Sequence, residues 1–230
     1  MTIRESLWRR IPERVKPNLQ FAVPAYQSMY LLVRRIMLLT SPVRPFKVAK
    51  FRKYRPLKLH IGCGQDKYAG WVNIDIPSSD LTIDIRDGLP FDDNSVDFIY
   101  AERVLQRLTF EEGKKVLSEF ARCLKIGGVL RIAMPDLDYV IERYNSDWGN
   151  QDWLSFPGYE FITTRGRMIN VTFRSWGYRY LYNEEDLRNQ LTAAGFQQII
   201  RCEWNKSAHA ELTDLEGKKD SKLIMEGTKP

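Results

Sequence analysis

From Leu57 onward, short apolar runs alternate with stretches of helical period, the pattern of a parallel α/β sheet. Leu57–Ile61, Trp71–Ile76, Leu81–Ile85 and Val96–Tyr100 are the first four expected strands. A helix follows, with Thr109 at its N-cap and Glu112 three residues on, the spacing of a capping box. Val116, Phe120 and Leu124 fall on one face of this helix, and Gly127-Gly128 is its expected stop. Val129–Ala133 is the fifth strand, and a short helix after Pro135 carries Leu137, Val140 and Ile141. A later helix runs from an Asn183 cap through Leu187 and Leu191 to Gly195. Phe196–Glu203 and Leu223–Gly227 form a closing strand pair.

Two regions break the alternation. Residues 145–182 are aromatic-rich and expected to be irregular, an insertion that becomes either a lid over an acceptor pocket or a satellite hydrophobic cluster. Arg165, Arg167, Arg174 and Arg179 lie among its rings and suit sugars or anionic groups. Residues 1–55 are cut by prolines, with a helix expected between Pro24 and Pro42. The expected division is therefore a basic helical extension, 1–55, and a domain over 56–230.

Charge sharpens this division. Residues 1–55 hold 13 Lys/Arg against 2 Asp/Glu, whereas the remainder holds 22 against 27. The net +6 is thus an N-terminal property, unlike that of a uniformly basic nucleic-acid-binding domain. The helix and the basic run Lys47 to Arg55 pack on the domain, rest on an anionic membrane surface or, third in order, bind RNA or DNA. The apolar run Tyr30–Leu39 contains two arginines and is too short to span a bilayer. Cys63, Cys123 and Cys202 lack zinc-ligand spacing, and no metal site is expected; a reducing cytoplasmic setting fits, peripheral to the inner membrane face if the extension docks there.

The candidate chemistry sits at the strand ends. Gly62-Cys63-Gly64 follows the first strand directly, where glycines let backbone approach a ligand and expose N–H groups. Asp75 ends the second strand, placed to accept hydrogen bonds from ribose hydroxyls. Asp84 ends the third, placed either to take an adenine amine or to serve as a turn carboxylate. Leu89–Tyr100, with the sequence LPFDDNSVDFIY, leads into the fourth.

These strings together resemble the class I S-adenosylmethionine-dependent methyltransferases, and among them the bacterial type 11-like group. The resemblance rests on His60-Ile61-Gly62-Cys63-Gly64, Gly70–Asp75, Leu89–Tyr100, Leu124–Ile132, Met134–Leu137 and Ala194-Gly195-Phe196. It implies a Rossmann-like α/β fold: a seven-stranded, mostly parallel sheet with a reversed last strand and helices on both faces. It also implies S-adenosylmethionine as cofactor. Gly62, Cys63 and Gly64 would lie against the methionine part, Asp75 and Ile76 at the ribose and adenine, Asp84 and Ile85 at the adenine, and Ala101 and Glu102 beside the methyl group. The acceptor implied is a small molecule, glycan or lipid-linked sugar; the alternative is a non-catalytic binding module of the same fold that docks through the basic extension.

Three departures from the family pattern bear on chemistry. Only 13 positions separate Gly62 from Asp75, room for a turn or a very short helix. His60 stands where many relatives have an acid. Arg103-Val104-Leu105-Gln106-Arg107 replaces a His-Val-Leu-Glu-His string, so no proton acceptor transfers to these positions; arginine stays protonated and suits an anionic substrate instead. Two candidate bases remain, His209 between the last two strands and Asp136 after the fifth.

Overall fold

The computed structural model describes residues 44–230 except 77, 78, 156 and 175. The helix expected between Pro24 and Pro42 lies outside the described residues, as does most of the basic extension. Helix α1, Arg44–Phe51, turns Val48 and Phe51 into the main core. Lys47 of this helix donates to the Asp80 carbonyl, and Arg52, just past its end, pairs with Asp92 at 2.9 Å.

Seven strands form one sheet in the order β3-β2-β1-β4-β5-β7-β6. They are β1 Lys58–Ile61, β2 Val72–Asp75, β3 Leu81–Thr82, β4 Val96–Glu102, β5 Leu124–Met134, β6 Gln197–Arg201 and β7 Leu223–Thr228. Pairing is parallel from β3 through β5, and β7 runs antiparallel to both β5 and β6. This is the expected sheet with its reversed last strand. The carboxyl ends of β1, β2 and β4 come side by side, since Ile61 pairs with both Ile74 and Ala101.

Helices α2 Phe110–Cys123, α3 Leu137–Asn145, α4 Arg165–Arg174 and α5 Glu184–Ala193 complete the fold. The Thr109–Glu112 capping box closes in both directions, and Asn183 caps α5 through the Asp186 N–H. The helix α2 stops four residues earlier than Gly127-Gly128 would have it. Its last carbonyls already have donors: Asn94 N–H on Arg122, Ser95 N–H on Cys123, and the Lys229 ammonium on Arg122 and Leu124. Leu124 is therefore free to begin β5, pairing with Val96. A side chain at Gly128 would stand 2.9 Å from the Lys125 carbonyl, so only glycine fits that turn into the straight part of the strand.

The third strand is shorter than its apolar run. Asp84 accepts the Arg86 N–H and caps a single helical turn, Ile85–Asp87, which ends the extended conformation. The insertion is less irregular than expected, because Met168 and Val171, three apart, give α4 an apolar face. Trp148, Trp153, Tyr159 and Trp176 pack around that face, with Trp153 and Trp176 edge to face at 4.7 Å. A satellite cluster forms here, the plainer of the two expectations for this segment.

No helix lies between β1 and β2. The sheet face on that side is covered instead by the connection from β6 to β7, residues 202–222, whose Leu212 and Leu215 join Trp71, Tyr100, Val129 and Ile224 in a second core cluster. This connection is fastened by Arg131 of β5. The Arg131 guanidinium, fully buried, grips Glu216 with two nitrogens, pairs with Glu226, and donates to the carbonyls of Lys206 and Glu203.

Candidate active site

The glycine loop is tied to β2 by every one of its amides. Gly62 and Cys63 donate to the Ile74 carbonyl at 2.8 and 3.2 Å, and Gly64 donates to the Asp75 carboxylate at 2.7 Å. The expectation of exposed loop N–H groups is thereby corrected, because the parallel ladder extends past Ile61 and absorbs them. What remains open is the flank of Gly64. With φ at 53°, a side chain there would meet no atom within 4 Å, whereas at Gly62, φ 71°, it would stand 2.3 Å from Val104 Cγ2. One glycine makes room for the protein and the other leaves room for a ligand.

Asp75 is half-buried and accepts one N–H on each oxygen, from Gly64 and from Ile76. A carboxylate has further lone pairs, so this one can still accept from a ribose diol. Gly62–Gly64, Asp75 and Ile76 are thus brought together at one edge of the sheet. The Cys63 thiol is buried against this loop, which pushes its pKa up to about 11 and keeps it protonated. Asp84 and Ile85 lie at the next strand end, but Arg86 holds the Asp84 carboxylate in a two-nitrogen ion pair. Asp84 therefore serves the chain's own turn as well as bordering the site.

Ala101 and Glu102 close β4 beside Ile61, as expected from their position. The Glu102 carboxylate, however, faces the β6–β7 connection. It accepts from Gly217 N–H at 3.1 Å, Lys218 N–H at 3.0 Å and the Ser221 hydroxyl at 2.9 Å. Burial raises its pKa, with the three donors pulling the other way. Nearby, Lys218 bridges to Asp66 at 2.8 Å and Asp220 to Arg103 at 3.2 Å. Residues 217–221 so form a wall from the glycine loop to the end of β4. The sequence gives little sign of it, because its partners lie 115 positions and more away.

His209 is not part of this edge. Its ring packs on Phe98, centroids 5.9 Å apart, in the amino half of β4. Phe98 and Glu102 are four residues apart, about 13 Å along a strand. The reason is the path of the connection, which engages successive same-face residues of β4: His209 on Phe98, the Leu215 carbonyl on the Tyr100 hydroxyl, and 217–221 on Glu102. Asp136 does stand at the edge, but both oxygens are engaged, one by the Asp138 N–H as the cap of α3 and the other by Arg201 at 2.7 Å. The base roles expected for His209 and Asp136 are not supported by these placements. An aspartate between a strand-ending proline and an apolar helix carries an N-cap signal that could have shown its structural part.

His60 is a core residue. Its ring stacks on Tyr68 at 4.5 Å and meets the side-chain amide oxygen of Asn73, and burial lowers its pKa to about 4. The turn after β4 holds Arg103 in the left-handed region at φ 57°. Arg103 donates to the Tyr178 hydroxyl at 2.7 Å, and the Arg179 N–H reaches the Gln106 carbonyl at 2.8 Å. These bonds bring the tail of the aromatic segment to the site. Among the described residues, no group of three or more metal-binding side chains occurs.

Residues 75–132 match the sequence profile of a family described as a methyltransferase domain. No curated protein matches the chain. Among solved structures, a S-adenosylmethionine-dependent methyltransferase from Thermotoga maritima is 18% identical, with 92% of this chain and 98% of that one covered and a TM-score of 0.46. One from Archaeoglobus fulgidus is 14% identical, over 85% and 94%, with a TM-score of 0.49. Phosphoethanolamine N-methyltransferase 2 of Haemonchus contortus, solved with S-adenosyl-L-methionine, is 14% identical, over 81% of this chain and 52% of that enzyme, with a TM-score of 0.43. These likenesses are distant, each with a TM-score below 0.5.

Proposed function

We propose that this chain, a class I S-adenosylmethionine-dependent methyltransferase by its sheet order and its matched domain, methylates a small molecule, a glycan or a lipid-linked sugar. The observation that carries the placement of the reaction is the tie between Gly64 and Asp75, with the open flank of Gly64 beside it. S-adenosylmethionine supplies a methyl group already activated by its sulfonium. The chain's own part is to align the acceptor with that carbon and to keep water out. Asp75 holds the ribose, Gly62–Gly64 bound the methionine tail, and the wall 217–221 shields the end of β4. The segment Trp176–Tyr180, joined to the turn 103–107, is the proposed acceptor side.

With His209 on Phe98 and Asp136 ion-paired, neither provides a free base here. The reaction is proposed to rest on alignment, with an acceptor atom that is nucleophilic as bound. The test is transfer of labelled methyl from S-adenosylmethionine to cell extracts fractionated into protein, nucleic acid, small molecule, glycan and organic-soluble lipid. Label in the last three supports the reading; label confined to protein or nucleic acid overturns it.

Residues 1–55 are proposed to bring the domain to an anionic membrane face, supported by their charge of 13 Lys/Arg against 2 Asp/Glu. Among the described residues no helix is long and apolar enough to cross a membrane. Vesicles containing anionic lipid should sediment the full chain and not a chain lacking residues 1–43; equal sedimentation would count against docking.

A further inference from the structure

Cations crowd the carboxyl edge, and nearly all of them are matched. Arg86 is held by Asp84 and Glu112, Lys218 by Asp66, and Arg201 by Asp136 and Glu184. Of the two arginines that follow β4, Arg103 is paired with Asp220 and bonded to Tyr178. Arg107 differs. Its Nε donates to the Arg103 carbonyl at 3.2 Å, and its two terminal nitrogens bond to no described residue.

Its position is fixed from three sides. Val104, in the same turn, lies against Gly62 of the glycine loop. The Asp75 carboxylate lies near enough to act on the Arg107 charge. Gly177, with φ at 73°, runs alongside, and a side chain there would stand 3.8 Å from Arg107 Nη1. Arg107 therefore sits between the cofactor end of the sheet and the segment 176–180, with its side chain open to solvent.

We propose that Arg107 is the acceptor-recognition residue of this site, taking an oxyanion of the methyl acceptor, a carboxylate or a phosphate, on its free Nη1 and Nη2 groups. The proposal rests on the methyltransferase reading for the word acceptor. Three physical points support it. With Nε already used, the two terminal nitrogens form a planar fork matched to two oxygens of one anion. The neighbouring Arg103 cation lies close enough to disfavour the Arg107 charge, a repulsion that a bound anion would relieve. Of the two neighbouring guanidinium groups only Arg103 has an ion-paired carboxylate, Asp220, and among the described residues Arg107 has none, which leaves its charge available on the acceptor side. Arg103 then acts as a positioning residue, whose pairing holds the turn and leaves Arg107 available.

The test uses the full chain with isotope-labelled arginine side chains, followed by NMR with and without S-adenosylhomocysteine. The probes are inorganic phosphate, acetate and chloride at constant ionic strength. One arginine resonance should shift saturably with phosphate or acetate, and Arg107→Gln should lose it while Lys115→Gln, on the outer face of α2, keeps it. Arg107→Lys should bind roughly tenfold more weakly, since it keeps the charge and loses the fork. Selectivity for phosphate identifies a phosphorylated acceptor, and selectivity for acetate a carboxylated one. Shifts equal to those with chloride, or a shifting resonance that survives in Arg107→Gln, overturn the proposal. S-adenosylhomocysteine binding that persists in Arg107→Gln keeps the methyltransferase reading apart from this result. If S-adenosylhomocysteine fails to bind the unaltered chain while phosphate still shifts Arg107, the anion site stands and its role toward a methyl acceptor falls.

Discussion

Asp75 ends β2 and Glu102 ends β4, so the two carboxylates stand on either side of β1 at the same edge of the sheet. Asp75 accepts from Gly64, 11 positions before it, and from its immediate neighbour Ile76. Glu102 accepts from Gly217, Lys218 and Ser221, all more than a hundred positions on. The first carboxylate shapes a local loop and keeps lone pairs for a ligand. The second holds down a distant segment and keeps little for anything else. An acid at a strand end in this fold thus has two uses, and its partner's distance along the chain decides which.

The strongest test removes what holds the distant segment from below. Arg131→Met leaves Glu216 and Glu226 buried without their partner, and unfolding in denaturant should show a loss of about 3–5 kcal/mol. A loss under about 1 kcal/mol, the value of an exposed pair, would mean that the wall does not depend on this anchor.

Next comes the pair itself. Glu102→Ala removes three hydrogen bonds to the wall and should cost about 2–3 kcal/mol. Amide exchange at Gly217 and Lys218 should quicken while that at Gly64 does not. Asp75→Ala should give the converse, freeing the Gly64 amide and weakening S-adenosylmethionine binding about tenfold or more by calorimetry. Equal effects of the two substitutions on cofactor affinity would erase the distinction drawn between them.

The His60 ring under the glycine loop adds a pH dependence to the local side. Its folded pKa is about 4 against an ordinary 6.5, so the unfolded chain binds the proton more readily. The stability this contributes is present above pH 6.5 and is lost as pH falls toward 4, by up to about 2–3 kcal/mol. His60→Gln should flatten that part of the stability profile; an unchanged slope would assign it to other groups.

The smallest expected effect separates the two glycines. Gly62→Ala meets both a positive φ and Val104, and should destabilise by about 2 kcal/mol. Gly64→Ala meets the φ alone, about 1 kcal/mol, and should show its main effect on cofactor affinity. Similar stability losses with unchanged affinity in both would deny Gly64 its ligand-facing role.

What the sequence disclosed largely follows the same division by distance. The capping box at Thr109 and the Asn183 cap depend on residues three positions apart, and the strands on apolar runs read locally, so each was legible; the Gly64–Asp75 bond was not, because the loop N–H groups were expected to face a ligand. The end of α2 was misjudged because donors from residues 94, 95 and 229 satisfy its carbonyls, and nothing inside the helix announces them. The apolar face of α4 was hidden among surrounding aromatics. His209 was a candidate because an imidazole suits proton transfer and its loop joins the last two strands, but a connection of 21 residues, 202–222, can run back along a sheet face before it returns. Arg103 and Arg107 were legible as cations, whereas the difference between them required Asp220 to be seen beside one and not the other.

That connection also bears on how the domain assembles. Closing a chain segment across more than a hundred residues is slow and entropically costly, while the β1–β2 loop closes over about a dozen. Until residues 202–222 dock, Trp71 and Tyr100 on β2's approach and β4 lack their apolar cover. The kinetics of refolding should therefore contain a species whose Gly64–Asp75 side is formed and whose Glu102 side is not, visible as protection of the Gly64 amide that precedes protection of the Gly217 amide. Simultaneous appearance of the two signals would show that edge and wall condense together.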